Sequence, residues 1–94
     1  MLTVAQIFGS NLLRARRQQG LTQKQLGTLT KTSHTFIGEM ERGMKAPNLN
    51  LVVALAMMLR VSVEELVAGL TPARAERIAT DQRPETRDSE TVRD

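Results

Sequence analysis

The sequence predicts an all-α fold, a five-helix domain followed by a flexible polar tail. Three observations predict it. Every convincing apolar segment repeats with helical period, and no stretch alternates as a half-buried strand would. Two separate segments, "LTQKQL" at 21–26 and "VSVEEL" at 61–66, carry the same helix-start pattern. From Asp81 onward, "DQRPETRDSETVRD" contains one aliphatic residue, Val92. Such a stretch cannot bury enough surface to offset the roughly 1–2 kcal/mol per residue that backbone ordering costs, so residues 81–94 are expected to be disordered.

The elements follow in order. Residues 5–19 place Ile7, Phe8, Leu12 and Leu13 on one side of a helix, and Arg14, Arg16 and Arg17 come late, where cations suit the helix dipole. Gly20 stops that helix. In "LTQKQL" Thr22 caps the first free amides, Gln25 reaches back to the Thr22 amide, and Leu21 packs on Leu26, a capping box with a hydrophobic staple. In "VSVEEL" Ser62 caps, Glu65 reaches back and Val61 meets Leu66. Between them Ser33 caps a third helix and Gly43 takes its left-handed C-terminal position. Pro47 and Asn48 open a fourth, "LNLVVALAMMLR". The predicted helices are roughly 4–19, 22–29, 33–42, 48–60 and 62–69. Thr71 and Pro72 start a weak sixth turn within 71–80, because proline suits the first helical position.

Composition sets the outer limits. Ninety-four residues make one small domain. Aromatics are only 2% of the chain, so the core must be aliphatic. Without cysteine there is no disulfide and no thiolate metal site. No apolar run approaches the roughly 20 residues that span a bilayer, and no signal segment precedes the first helix, so a cytoplasmic protein with no membrane contact is expected. The net charge of +3 is unevenly spread: residues 1–45 hold seven Lys or Arg against Glu39 and Glu41, whereas 81–94 hold three Arg against five acids. A basic front half is consistent with a polyanion met from one side, and equally with an ordinary solvated surface.

Only Thr30, Lys31 and Thr32 separate the second and third helices, a connection short enough to force a steep crossing, as in a helix-turn-helix. Over residues 21–66 the sequence resembles the phage-repressor-like (Xre/Cro-type) helix-turn-helix DNA-binding family, whose fold is lambda-repressor-like. The "TQ" of Thr22 and Gln23, the small Gly27, Ile37 with Glu41 and Gly43, Pro47 with Leu49, and Leu55 with Ala56 occur in register. Relatives usually have Gly and a small apolar residue in the turn where this chain has Lys31 and Thr32. Lys31 must therefore adopt a left-handed conformation, costing about 1–3 kcal/mol, or the turn has another shape.

The resemblance implies a DNA-binding domain over 1–70, with the helix-turn-helix at 22–42, a dimerisation region at 48–70, and the third helix in the major groove. Phe36, Ile37 and Met40 share one face and anchor that helix. His34, Thr35, Gly38 and Glu39 are then the base-reading candidates. Thr35 can bond several bases or touch a thymine methyl, His34 can donate to guanine or phosphate, and Glu39 can accept from cytosine. Gly38 would allow close approach. Phosphate contacts are expected from Gln23, Lys24, Lys31, Arg42, Lys45, Arg14 and Arg17. Gln23 would also brace His34, and Arg16 would form a structural ion pair with Glu41.

The fourth helix is apolar nearly all round. Leu49, Val52, Leu55, Ala56 and Leu59 match the family's core positions, yet Leu51, Ala54, Met57 and Met58 are apolar too. A helix of that kind needs cover on two sides. With Val63, Val67 and Leu70 this surface is the expected homodimer interface, unless the tail folds over it. The expected function is a sequence-specific regulator, a repressor or autoregulator, binding double-stranded DNA at a palindromic operator. The alternative is an antitoxin-like adaptor that binds operator DNA and takes a protein partner through its tail. No cofactor, metal or catalytic role is expected. Glu64 and Glu65 are neighbours about 100° apart on a helix, better suited to capping and dipole compensation.

Overall fold

A computed structural model describes residues 2–69, in which five helices run in the order α1 (Val4–Gln18), α2 (Gln23–Thr30), α3 (His34–Glu41), α4 (Leu49–Leu59) and α5 (Val63–Leu66). Leu70, the weak turn expected within 71–80 and the tail at 81–94 lie outside the described residues. Both expected capping boxes form: Thr22 with Gln25, and Ser62 with Glu65. Thr3 and Gln6 make a third at the start of α1. Ser33 caps α3 and Asn48 caps α4, each accepting an amide three residues on. Gly20 and Gly43 have φ of 71° and 76°, which ends α1 and α3 as their positions suggested.

Leu12, Leu26, Ile37, Met40, Leu55, Leu59 and Leu66 are fully buried, one or two from each helix. Phe8 is the only aromatic in this core, and the half-buried Phe36 packs against its edge. Gly9 permits the close approach of α1 to the end of α3. A Cβ on Gly9 would collide with the carbonyl oxygen of Met40. Gly27 likewise lets the α2–α3 turn fold back, since a Cβ there would strike the Thr32 carbonyl oxygen.

Two elements depart from expectation. The fifth helix is four residues long, not the eight of 62–69, because Val67 leaves helical geometry and Gly69 turns with φ of 104°. Leu49, expected in the core, is 74% exposed. It is the first residue of α4 and overhangs the turns that face the core.

What holds the short α5 is Asn11, buried in α1. Its amide donates to the carbonyls of Leu66 (3.0 Å) and Ala68 (2.8 Å), and its Oδ1 accepts from Arg14 Nη1 (3.1 Å). Carbonyls at a helix end have no intrahelical donor, so one side chain from α1 serves two of them. Asn11→Ala is expected to cost about 1–3 kcal/mol, seen as a melting temperature lower by roughly 4–20 °C in thermal circular dichroism. An unchanged melting temperature would show that water replaces the amide at no cost. No helix among the described residues is long and apolar enough to cross a membrane.

Candidate nucleic-acid interface

The α2–α3 connection is tight because Lys31 does adopt the left-handed conformation, with φ 56° and ψ 43°. Local hydrogen bonds secure it. The Thr32 amide donates to the Gly27 carbonyl at 2.8 Å, the Thr30 hydroxyl to the Leu26 carbonyl at 2.8 Å, and the Thr32 hydroxyl to the Thr30 carbonyl at 3.2 Å. The Lys31 side chain is left exposed at the corner.

Beyond that corner Ser33 is extended, and its Oγ accepts from the Phe36 amide at 3.0 Å. Ile37 and Met40 are fully buried and Phe36 packs on the core, so α3 is fastened by one face. His34 and Thr35 form its exposed first turn. Among the described residues, the amides of His34 and Thr35 have no acceptor, and nor do those of Gln23 and Lys24 at the start of α2. Two helix starts thus present open N–H pairs, an arrangement that favours anions.

Behind this surface lies an ion-pair network. Arg16 donates to Glu41 through Nε (2.5 Å) and Nη2 (3.0 Å), and through Nη1 to the Leu21 carbonyl (2.7 Å). The side chains of Arg16 and Glu41 are 11% and 4% exposed. The expected pair is therefore present, bidentate and buried. Gln23 completes it by donating Nε2 to Glu41 Oε1 at 2.9 Å. Its amide group is thus turned onto Glu41 instead of bracing His34 as expected, sharing with Arg16 Nη2 the Oε1 atom, which as a carboxylate oxygen can accept more than one hydrogen bond.

Gly38 is another correction. It is buried, with Arg42 and Gln23 side chains lying over it, so it is not the bare backbone that close approach to a ligand would need. Glu39 is half-buried, whereas Lys24, Arg42 and Lys45 are exposed. Arg14 and Arg17 stand apart from the α2–α3 residues. Arg14 is tied to Asn11 and sits with Val61, Glu65 and Ala68 at the α1–α5 seam, and Arg17 shares a shallow groove with Ser10, Leu13, Arg14 and Gln18.

Large apolar side chains are exposed on α4 and at the start of α5. Met57 is 69% exposed, and Val53, Met58 and Val63 about two-fifths so. Leu51, by contrast, packs partly on the core. Val67 is half-buried and lines a small cleft with Val4, Ile7, Phe8 and Val52. These two interface candidates are thus drawn toward their own domain, and Val53 joins the outward set.

Comparison with known proteins agrees with this architecture. The helix-turn-helix family model matches residues 12–66. The chain is 35% identical over 66 residues to the HTH-type transcriptional regulator y4dJ of Sinorhizobium fredii, covering 70% of this chain and 86% of the relative. It is 36% identical over 78 residues to the transcriptional regulator ClgR of Mycobacterium tuberculosis, covering 81% and 70%. Among solved structures, the restriction-modification controller protein C.AhdI from Aeromonas hydrophila superposes with a TM-score of 0.63 at 31% identity, over 66% of this chain and 94% of that one. The proteins of this group are regulators, not enzymes. The chain belongs to the Xre/Cro-type helix-turn-helix family, and is a transcriptional regulator with a helix-turn-helix DNA-binding domain.

Proposed function

We propose that this regulator reads a specific double-stranded DNA sequence by seating α3 in the major groove, and that it does so as a homodimer on a near-palindromic operator. The observation that carries this reading is the first turn of α3. His34 and Thr35 project from a helix whose opposite face is locked into the core, and their free amides stand near the corner that also bears Lys31. The open amides of Gln23 and Lys24 begin the preceding helix. A phosphate on that helix start would fix register, and the side chains on α3 would then meet base edges.

The roles divide accordingly. Thr35 and His34 are the base readers, and Glu39 serves as acceptor for a cytosine amino group or orients a neighbouring cation. Lys24, Lys31, Arg42 and Lys45 contact phosphates, with the Gln23 side chain and amide beside them. Arg14 and Arg17, which stand apart from the α2–α3 residues, would meet only DNA that curves around the domain. The dimer places two such helices about 34 Å apart, one turn of duplex. The regulatory role is repression, including that of its own gene, in the manner of a phage-type or restriction–modification controller, and the protein works in the cytoplasm.

The test compares two variants on an operator selected in vitro and on mixed-sequence duplex. Thr35→Ala is expected to lower operator affinity by about 1–3 kcal/mol while leaving mixed-sequence binding nearly unchanged. Lys24→Ala should weaken both alike and reduce the salt slope by about one. Equal losses on both duplexes for Thr35→Ala would remove it from the readers. Absence of any salt-sensitive duplex binding by the unaltered protein would end the whole reading.

A further inference from the structure

We propose that Gly38 is a positioning residue: its missing side chain provides a berth for Arg42 and Gln23, and so aims the Arg42 guanidinium at the DNA backbone. The inference rests on the DNA-binding mode proposed above. A Cβ built on Gly38 would lie 3.1 Å from Arg42 Nη1 and 3.4 and 3.5 Å from the Gln23 Oε1 and Nε2 atoms. Two polar side chains from different helices therefore converge where residue 38 would carry its first carbon. Glycine inside a helix is normally destabilising relative to alanine, and Gly38 takes no left-handed backbone that would require it. Space is what it supplies.

The two neighbours are not equally free. Gln23 Nε2 is committed to Glu41 Oε1, itself held by Arg16. Among the described residues the Arg42 guanidinium makes no hydrogen bond or ion pair; it is exposed and meets the berth with the far end of a flexible chain. A methyl group at residue 38 would thus make Arg42 give way by a few tenths of an ångström and meet Gln23 at ordinary contact distance. Arg42 is the residue that caps the C-terminal end of α3, so a guanidinium crowded out of the berth there loses the one surface that limits its direction relative to the helix that enters the groove. Folding and binding are pulled in opposite directions: the substitution improves the helix and disorders a phosphate contact.

The experiment is a double-mutant cycle on the full chain, using a labelled mixed-sequence duplex at about 50 mM salt, where phosphate contacts dominate. Gly38→Ala is expected to raise the melting temperature by about 4 °C or more and to weaken duplex binding about fivefold. In an Arg42→Ala background the same substitution should leave affinity unchanged. Relaxation of the Arg42 Nε–H signal should report an ordered side chain in the parent protein and a mobile one in Gly38→Ala. An equal loss in both backgrounds would mean that the methyl group meets DNA directly, and overturns the proposal. No loss in either background would make Gly38 a tolerated helix defect, and overturns it too. If the unaltered chain fails to bind the duplex, the DNA-binding reading itself falls, an outcome distinct from failure of the cycle in a protein that binds.

Discussion

Replacing Glu41 with Ala is expected to unfold a large fraction of the protein at physiological temperature. Glu41 accepts from Arg16 twice and from Gln23 once, and Arg16 also serves the Leu21 carbonyl. With the Glu41 side chain 4% exposed, the variant leaves an arginine with its counter-charge removed and little access to water. Breaking one side of a buried pair costs about 3–5 kcal/mol, a large share of the 5–15 kcal/mol typical of a whole domain. The melting temperature should fall by at least about 12 °C. The contact ties α1, α2 and α3 together, so the loss should appear as a cooperative shift of the whole transition. Replacing Arg16 and Glu41 together by Met and Leu should recover much of it, since a well-packed apolar pair is often as stable as a buried ion pair. A fall of under about 5 °C for Glu41→Ala would show that water reaches Arg16, and that the network is a surface pair.

The same network marks where the sequence was legible. Helix starts could be read because caps are local: Thr22 with Gln25 and Ser62 with Glu65 act across three residues. The Arg16–Glu41 pair spans 25 positions, and only the resemblance to a family pointed to it. Long-range contacts without such a guide were missed. Gly9 is unremarkable in sequence, yet its contact with the Met40 carbonyl fixes how α1 crosses α3. Asn11 reads as an ordinary polar residue on an amphipathic helix, and its partners lie 55 and 57 residues away. Periodicity also blurs where every position is apolar. In α4 it could not separate Leu49, which overhangs, from Leu51, which packs inward, or single out Val53. At the candidate site, the sequence placed His34 and Thr35 on the exposed turn, but it could not show Gln23 and Arg42 crossing over Gly38. That arrangement depends on side-chain direction, which spacing does not encode.

Met57→Asp is expected to convert the proposed dimer to a folded monomer, with the mass by light scattering falling to the 10.4 kDa of one chain. Met57 is 69% exposed and stands on α4 with Val53 and Met58, each about two-fifths exposed. A carboxylate there stays hydrated in a single domain, so helicity and melting should change little at concentrations where the protein is monomeric. Across a twofold interface the same carboxylate would be buried in apolar surroundings, which charged groups strongly resist. The consequence for DNA follows from counting contacts. A few side chains discriminating bases at about 1–3 kcal/mol each cannot single out one site among the roughly 10⁶–10⁹ of a genome, whereas two linked half-sites can. Losing the linkage should weaken operator binding by about 10²–10⁴ while mixed-sequence binding falls far less. A variant that remains dimeric would move the interface away from this face of α4. A parent protein that is monomeric in solution and on its operator would remove the twofold arrangement, and with it the expectation of a palindromic site.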